Sequence, residues 1–98
     1  MKFDKKRLEF PEETKEQFER YLSRKTLEIT YYDGYMINFG NANISAISPY
    51  KVIMKSRTKE LVILYYGDYM YDENLYFINT TKNACTFARL RELVRNYF

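Results

Sequence analysis

The sequence contains no histidine, no tryptophan and a single cysteine, Cys85. Without histidine, the commonest general bases, nucleophile partners and zinc ligands are missing, which argues against hydrolases and zinc sites. A lone cysteine cannot form an intramolecular disulfide and is typical of a reducing compartment. No apolar N-terminal run has the length of a signal peptide or a membrane span. We therefore expect a non-enzymatic, cytoplasmic protein with no membrane partner.

Glycine and proline are also scarce, with three and two among 98 residues, while 46% of the residues are hydrophobic. This composition is neither repetitive nor typical of disorder. Because a chain of this length buries roughly two-thirds of its unfolded surface, we predict one small domain spanning residues 1–98. The acidic connection that holds Asp68, Asp72 and Glu73 lacks the glycine-centred spacing of a calcium loop. We expect no metal ion and no cofactor.

Residues 60–66 form the one run whose two alternating faces are both apolar. Leu61, Ile63 and Tyr65 fall on one face, and Val62, Leu64 and Tyr66 fall on the other. This pattern predicts a central strand that is covered on both sides.

The chain before this strand reads as a helix followed by strands. Residues 1–10 are predicted as an arm or an edge strand, and Pro11 opens a helix over 11–25, with Glu12 and Glu13 in its first turn. From Thr26 the apolar period changes to two, which predicts a sheet over 26–79.

Two hairpins are predicted within this sheet. At Asp33-Gly34, burial favours a three-residue loop that pairs Tyr31 with Tyr35 over a two-residue loop that pairs Tyr32 with Tyr35. In the second hairpin a four-residue loop, 56–59, places opposite each other the pairs Lys55 and Glu60, Met54 and Leu61, Val52 and Ile63, and Tyr50 and Tyr65.

The last helix is predicted over 81–98, with Thr80 or Thr81 as its N-cap. Its apolar stripe consists of Ala84, Phe87, Leu90, Leu93, Val94, Tyr97 and Phe98. We expect this stripe to cover the face of the central strand that carries Val62 and Leu64. Cys85 then falls in the first helical turn, where the helix dipole lowers the pKa of a thiol.

These elements predict an α+β fold. It has an N-terminal helix, a five- to six-stranded bent antiparallel sheet or small open barrel, and a C-terminal helix packed on the sheet.

The stretches 27–35 (LEITYYDGY) and 61–68 (LVILYYGD), with Gly40, Ile44, Ile47 and Pro49 between them, resemble the YolD-like family of small bacterial and phage proteins. The likeness covers about half of the chain. It implies a helix before a compact, strongly bent antiparallel sheet, and an association with error-prone, UmuC-type DNA polymerases in phage and mobile-element settings. The strand and helix over 75–98 depart from the family pattern, and no functional residue is carried over.

Two functions from different classes fit the sequence. The first is an adaptor or inhibitor of the phage or mobile-element (viral) type that binds a larger host protein or nucleoprotein. Tyrosine offers apolar area and a hydroxyl at low entropic cost. Its predicted protein-binding patch consists of Tyr66, Asp68, Tyr69, Tyr71, Asp72 and Glu73.

The alternative is a nucleic-acid-binding regulator or DNA-repair accessory protein. The net charge is only +3, but basic residues gather in the predicted loop and in the last helix. The candidate phosphate contacts are Lys55, Arg57, Lys59, Arg89, Arg91 and Arg95. Tyrosine side chains would stack on bases. A homodimer is compatible with both functions.

Overall fold

A computed structural model describes residues 3–39, 44–66, 76–78 and 84–98. The elements, in chain order, are β1 Phe3–Leu8, α1 Glu12–Tyr21, β2 Glu28–Tyr32, β3 Gly34–Phe39, β4 Ile44–Ser48, β5 Tyr50–Lys55, β6 Glu60–Tyr65, β7 Tyr76–Ile78, β8 Ala84–Cys85 and α2 Phe87–Tyr97. A five-stranded antiparallel sheet has the order β2-β5-β6-β7-β8, and a smaller sheet has the order β1-β3-β4. The predicted α+β class is confirmed, and the sheet is not closed into a barrel.

The hairpin of β5 and β6 forms with the predicted register. Lys55 lies opposite Glu60, and Tyr50 lies opposite Tyr65. Ser56 closes the four-residue loop, because its backbone N–H donates to the carbonyl of Lys59 at 2.8 Å and its hydroxyl accepts from the Lys59 N–H at 3.1 Å. As predicted, β6 is an inner strand, with β5 on one side and β7 on the other.

The predicted hairpin at Asp33-Gly34 is wrong, because β2 and β3 do not pair with each other. Instead β2 pairs with β5, and β3 pairs with β4. The register continues unbroken from one pair of strands into the next, since Tyr32 lies opposite Lys51 and, three residues further along each strand, Tyr35 lies opposite Ser48. Residues 28–39 and 44–55 therefore form one long, two-stranded ribbon that bends at Asp33-Gly34 and passes from the larger sheet into the smaller one. The predicted turn at residues 40–43 lies outside the described residues.

Gly34 is needed at this bend for close approach of the backbone. A Cβ on Gly34 would lie 2.7 Å from the carbonyl oxygen of Ser48 and 3.3 Å from the amide nitrogen of Tyr50. Backbone atoms cannot yield at such a distance, so the position excludes every other side chain. Asp-Gly between two alternating runs predicts a turn, but a glycine required by a crossing strand has the same sequence appearance.

Both helices pack on one face of the five-stranded sheet. The ring of Tyr76 stacks on Tyr65 at 5.0 Å, and Phe18 of α1 and Phe87 of α2 contact Tyr76 at 6.0 and 5.8 Å. Leu90 of α2 is fully buried in the same core. We call this the core face.

The prediction that α2 covers Val62 and Leu64 is therefore wrong. Leu61, Ile63 and Tyr65 are buried on the core face, whereas Val62 and Leu64 are only partly buried. The two faces of β6 are equally apolar in sequence, and only the position of the helices distinguishes them.

The helix boundaries differ from their predictions at three points. Pro11 is the N-cap of α1 and not its first helical residue, and the helix ends at Tyr21. The N-cap of α2 is Thr86, whose side chain accepts from the N–H of Arg89 at 3.4 Å. The predicted caps Thr80 and Thr81 lie outside the described residues. The predicted start of this helix also placed Ala84 on its apolar stripe and Cys85 in its first turn, but both residues form β8.

The first strand decides between the predicted arm and edge strand for the described residues 3–10. β1 pairs with β3 as an edge strand of the smaller sheet. Asp33 holds the end of this strand and the start of the following segment, because its carboxylate accepts from Arg7 Nε at 2.6 Å and from the Phe10 N–H at 2.9 Å. These bonds lower the pKa of Asp33, with the backbone N–H of Phe10 the larger cause and Arg7 the next.

Candidate nucleic-acid interface

A groove of about 250 Å³ lies between the C-terminal end of α1 and the middle of α2. The two helices are adjacent here because the Tyr21 ring rests against Phe87, with ring centroids 6.1 Å apart. The groove is lined by Tyr21, Leu22, Arg24, Ala88, Arg91, Glu92, Val94 and Arg95. It thus combines apolar, aromatic and basic side chains that are distant in sequence.

Three guanidinium groups line this groove, from Arg24, Arg91 and Arg95. Within the described part of the chain none of them forms an ion pair with a carboxylate, whereas Arg89, on the same helix as Arg91, binds Glu92 at 2.8 Å. Glu92 also lines the groove, but its carboxylate pairs with Arg89, so the three guanidinium groups outnumber the one carboxylate, and a bound anion relieves their mutual repulsion. The groove is therefore a candidate anion site.

The groove also has an apolar floor and an aromatic wall. Leu22 and Val94 are buried at its base, and Tyr21 at its side is 47% exposed. The guanidinium of Arg91 lies over the Tyr21 ring, 4.5 Å from its centroid. Such a wall offers a planar surface on which another planar group can stack.

A second basic surface adjoins the groove at the hairpin loop. A shallow depression of about 440 Å³ is lined by Lys25, Thr26, Ser56, Arg57 and Thr58. It is continuous with the groove along the chain, because Arg24 lines the groove and the next residue, Lys25, lines the depression. Arg24 and Lys25 therefore connect the groove with the depression at the hairpin loop.

The structure divides the six predicted phosphate contacts into two groups. Arg91 and Arg95 line the groove, and Arg57 lines the depression. Arg89 is engaged with Glu92, three residues further along the helix.

The two lysines have other roles. Lys59 donates to the backbone carbonyl of Tyr97 at 2.8 Å and lies over the Tyr97 ring, so it holds the end of α2. Lys55 lies opposite Glu28 on one side and Glu60 on the other.

Sequence reasoning does not find two of the groove residues. By pattern, Tyr21 belongs to the apolar stripe of the first helix, and Arg24 is a charge that favours a helix end. Nothing in the local sequence marks either residue, because their partners Arg91 and Arg95 belong to the other helix.

Of the predicted protein-binding patch, only Tyr66 lies within the described residues. Asp68, Tyr69, Tyr71, Asp72 and Glu73 lie outside them. The Tyr66 ring meets Phe77 edge-on at 5.6 Å. Both belong to the outer face of the five-stranded sheet, opposite the helices, where Ile53, Val62, Leu64, Tyr66 and Phe77 are all partly buried.

Cys85 does not have the environment of a reactive thiol. It lies in β8, opposite Tyr76, and packs against the core cluster. Burial raises the pKa of this thiol, with a smaller opposing effect from Arg89. The predicted lowering of the pKa is therefore wrong, because it depended on a position in the first helical turn.

Comparisons of the chain with protein-family models, curated proteins and solved structures found no match in any of the three. The resemblance to the YolD-like family therefore stays a prediction. Within the described ranges, neither α1 nor α2 has the length and apolar character required to cross a membrane.

Proposed function

We propose that this protein binds nucleic acid through the groove between its helices and the adjoining basic depression. The observation that carries the proposal is the convergence of Arg24, Arg91 and Arg95, which have no carboxylate partner within the described residues. Of the two functions that fit the sequence, this alternative is the one that the described geometry supports better.

A polymer of phosphates fits this surface better than a single small anion. Basic groups line both the groove and the depression, so they offer contacts to more than one phosphate. The predicted phosphate contacts that line the two surfaces are all arginines, and arginine offers a planar fork of donors that suits phosphate oxygens. Affinity on such a surface comes mainly from counterion release and varies little with base sequence.

The test is fluorescence anisotropy with labelled DNA and RNA of mixed sequence, measured at several salt concentrations. Replacing Arg91 and Arg95 by glutamine should weaken binding to every sequence. It should also reduce the slope of log K against log salt by about 0.7–0.9 for each phosphate that the variant no longer neutralises.

Arg89→Gln is the matched control. Like Arg91→Gln or Arg95→Gln taken singly, it removes one positive charge from α2, but Arg89 pairs with Glu92 and does not line the groove. Equal loss of affinity in the control and in the Arg91 and Arg95 variants would assign the effect to net charge and contradict a defined interface. Absence of salt-dependent binding in the parent protein would refute the proposal.

A second candidate function is the adaptor or inhibitor that binds a host protein. One observation favours it: the outer face of the five-stranded sheet presents partly exposed Val62, Leu64, Tyr66 and Phe77 on the side away from the helices. Contiguous apolar side chains on a surface are typical of protein contacts. The phage or mobile-element setting follows from the family resemblance alone and stays a prediction.

This second function is tested by capture from a host lysate with and without nuclease. Leu64→Lys should abolish capture of a protein partner that survives nuclease treatment. Thr30→Lys is the control, because Thr30 is exposed on the outer face of the edge strand β2, two strands away from Leu64 in β6. Sedimentation of both variants distinguishes a second copy of this chain from a different partner.

A further inference from the structure

We infer that the groove takes a single strand of nucleic acid, with an unpaired base stacked on the Tyr21 and Arg91 pair and the flanking phosphates on Arg24 and Arg95. The inference rests on the proposed function and specifies its ligand. It follows from features of the groove that phosphate binding alone does not require.

The first such feature is the exposed aromatic wall. Among the described residues Tyr21 and Tyr32 are the two large hydrophobic residues that are well exposed, and Tyr21 lines the groove together with its three arginines. The phenol ring is held by Phe87 at its edge and by the Arg91 guanidinium over its face. A base that enters the groove extends an existing stack of planar groups, which is how single strands are held without base-specific hydrogen bonds.

The second feature is the apolar floor formed by Leu22 and Val94. In a duplex the bases are paired and stacked inside the helix, so a protein reaches mostly phosphates and groove edges. This floor is narrow, since Leu22 and Val94 are 3% and 1% exposed, and a phosphate gains nothing from contact with it. An unpaired base does gain, because its ring leaves water when it enters.

The third feature is the size of the groove. Sites that enclose whole small molecules have volumes of about 300–1,000 Å³, and this groove is smaller, at about 250 Å³. It therefore has room for one base and not for a larger enclosed ligand. A free nucleotide would share the base and phosphate chemistry but would lack the phosphates that reach the further arginines.

Tyr32 provides an internal comparison, because it is exposed to a similar extent, 43%, and also lies under a cation, Lys51. Its cleft is lined by Tyr31, Tyr32, Asp33, Tyr35, Ser48, Pro49, Lys51 and Leu64. These described lining residues include one lysine and no arginine. Tyr32→Ala is therefore the matched control for the loss of an exposed tyrosine.

The binding experiment compares a single-stranded oligonucleotide of about 12 residues, its duplex and free adenosine monophosphate. We expect the single strand to bind tighter than the duplex, and the mononucleotide to bind weakly. Tyr21→Ala should reduce single-strand affinity by roughly 5- to 150-fold, the effect of losing one stacked base. Tyr21→Phe should keep the affinity of the parent, and Tyr32→Ala should change it little.

Since Tyr21 also contacts Phe87, a second variant that keeps an aromatic ring at this position separates stacking from packing. Tyr21→Trp introduces the only tryptophan of the chain. Stacking of a base should quench its fluorescence with the single strand and leave it largely unchanged with the duplex. This readout reports contact at the groove independently of affinity.

The outcomes separate the inference from the function on which it rests. Equal affinity for single strand and duplex, with no effect of Tyr21→Ala and a clear loss in the Arg91 and Arg95 variant, overturns the inference and leaves nucleic-acid binding in place. Tight binding of adenosine monophosphate overturns it in favour of a free nucleotide. Absence of binding to all three ligands overturns both.

Discussion

The two faces of β6, the inner strand of the five-stranded sheet, have similar sequences and different surroundings. Along β6, Leu61 and Ile63 lie under both helices and are at most 1% exposed, while Val62 and Leu64 alternate with them and remain partly exposed on the outer face. The difference arises outside the strand, from two helices whose aromatic side chains converge on Tyr76. Both faces of β6 are apolar enough to be buried. Only the face on which the two helices pack is buried completely.

The largest expected effect comes from a matched pair of truncations in one strand. Leu61→Ala removes a side chain from the closed core and should lower the free energy of unfolding by about 2–5 kcal/mol. Leu64→Ala should cost less than half of that, because part of the Leu64 side chain is already in water. Urea denaturation of both variants measures the difference, and equal costs would mean that the outer face is covered as closely as the core face.

A smaller effect is expected at the start of α2, the helix that closes the core face. Thr86→Ala removes the side-chain acceptor for the Arg89 N–H and should cost about 0.5–2 kcal/mol. Thr58→Ala, in the exposed hairpin loop, is the control for loss of a threonine. If thermal unfolding of the Thr86 variant matches the parent, α2 does not depend on this cap for its position on the sheet.

The next prediction concerns the pH dependence of stability at the bend of the ribbon, Asp33-Gly34. The pKa of Asp33 is lower in the folded state than its ordinary value of 3.8, because the Phe10 N–H and Arg7 bind its charged form. The Asp33 carboxylate therefore stabilises the folded protein above about pH 4. This stabilisation is lost as the pH falls through the pKa that Asp33 has in the folded state. Asp33→Asn should be less stable than the parent at neutral pH, and the gap should close towards about pH 2.

Thermal melts across this range provide the measurement. If the difference in stability between the parent and Asp33→Asn stays constant through the acid range, the variant is destabilised for reasons unrelated to the charge of Asp33.

The smallest effect, one on reactivity and not on stability, is expected at Cys85. Its pairing opposite Tyr76 places it towards the core face, and burial raises its thiol pKa. Because the thiolate is the reacting form, we expect Cys85 to react with a disulfide reagent at about pH 8 more slowly than a free thiol does. The rate should rise when the protein is unfolded in urea, and a folded-state rate equal to that of free cysteine would place the thiol in solvent.

Local sequence was a good guide where one turn fixed the outcome. The loop of residues 56–59 set the register of β5 and β6 correctly, because the pairs on either side agreed in both charge and burial. Local sequence was a poor guide at Asp33-Gly34. The alternation of apolar and polar residues continues through the bend and does not reveal which strand lies opposite.

The candidate groove was accessible to sequence reasoning only in part. The charge of the last helix points to Arg91 and Arg95, but Tyr21 and Arg24 enter the groove through packing between α1 and α2. Helical periodicity places a residue on a stripe and gives no information on which residues of another helix lie beside it. The groove is a property of the tertiary structure.

The bent ribbon has a consequence for how the domain unfolds. The larger sheet includes β2 and β5 and the smaller sheet includes β3 and β4, so neither sheet can lose the ribbon without removing strands from the other. A shift of one residue in its register would also exchange inward and outward side chains along both sheets at once. Although the molecule contains two sheets, it should therefore behave as one cooperative unit, with the same midpoint whether unfolding is followed at Tyr35 or at Tyr76.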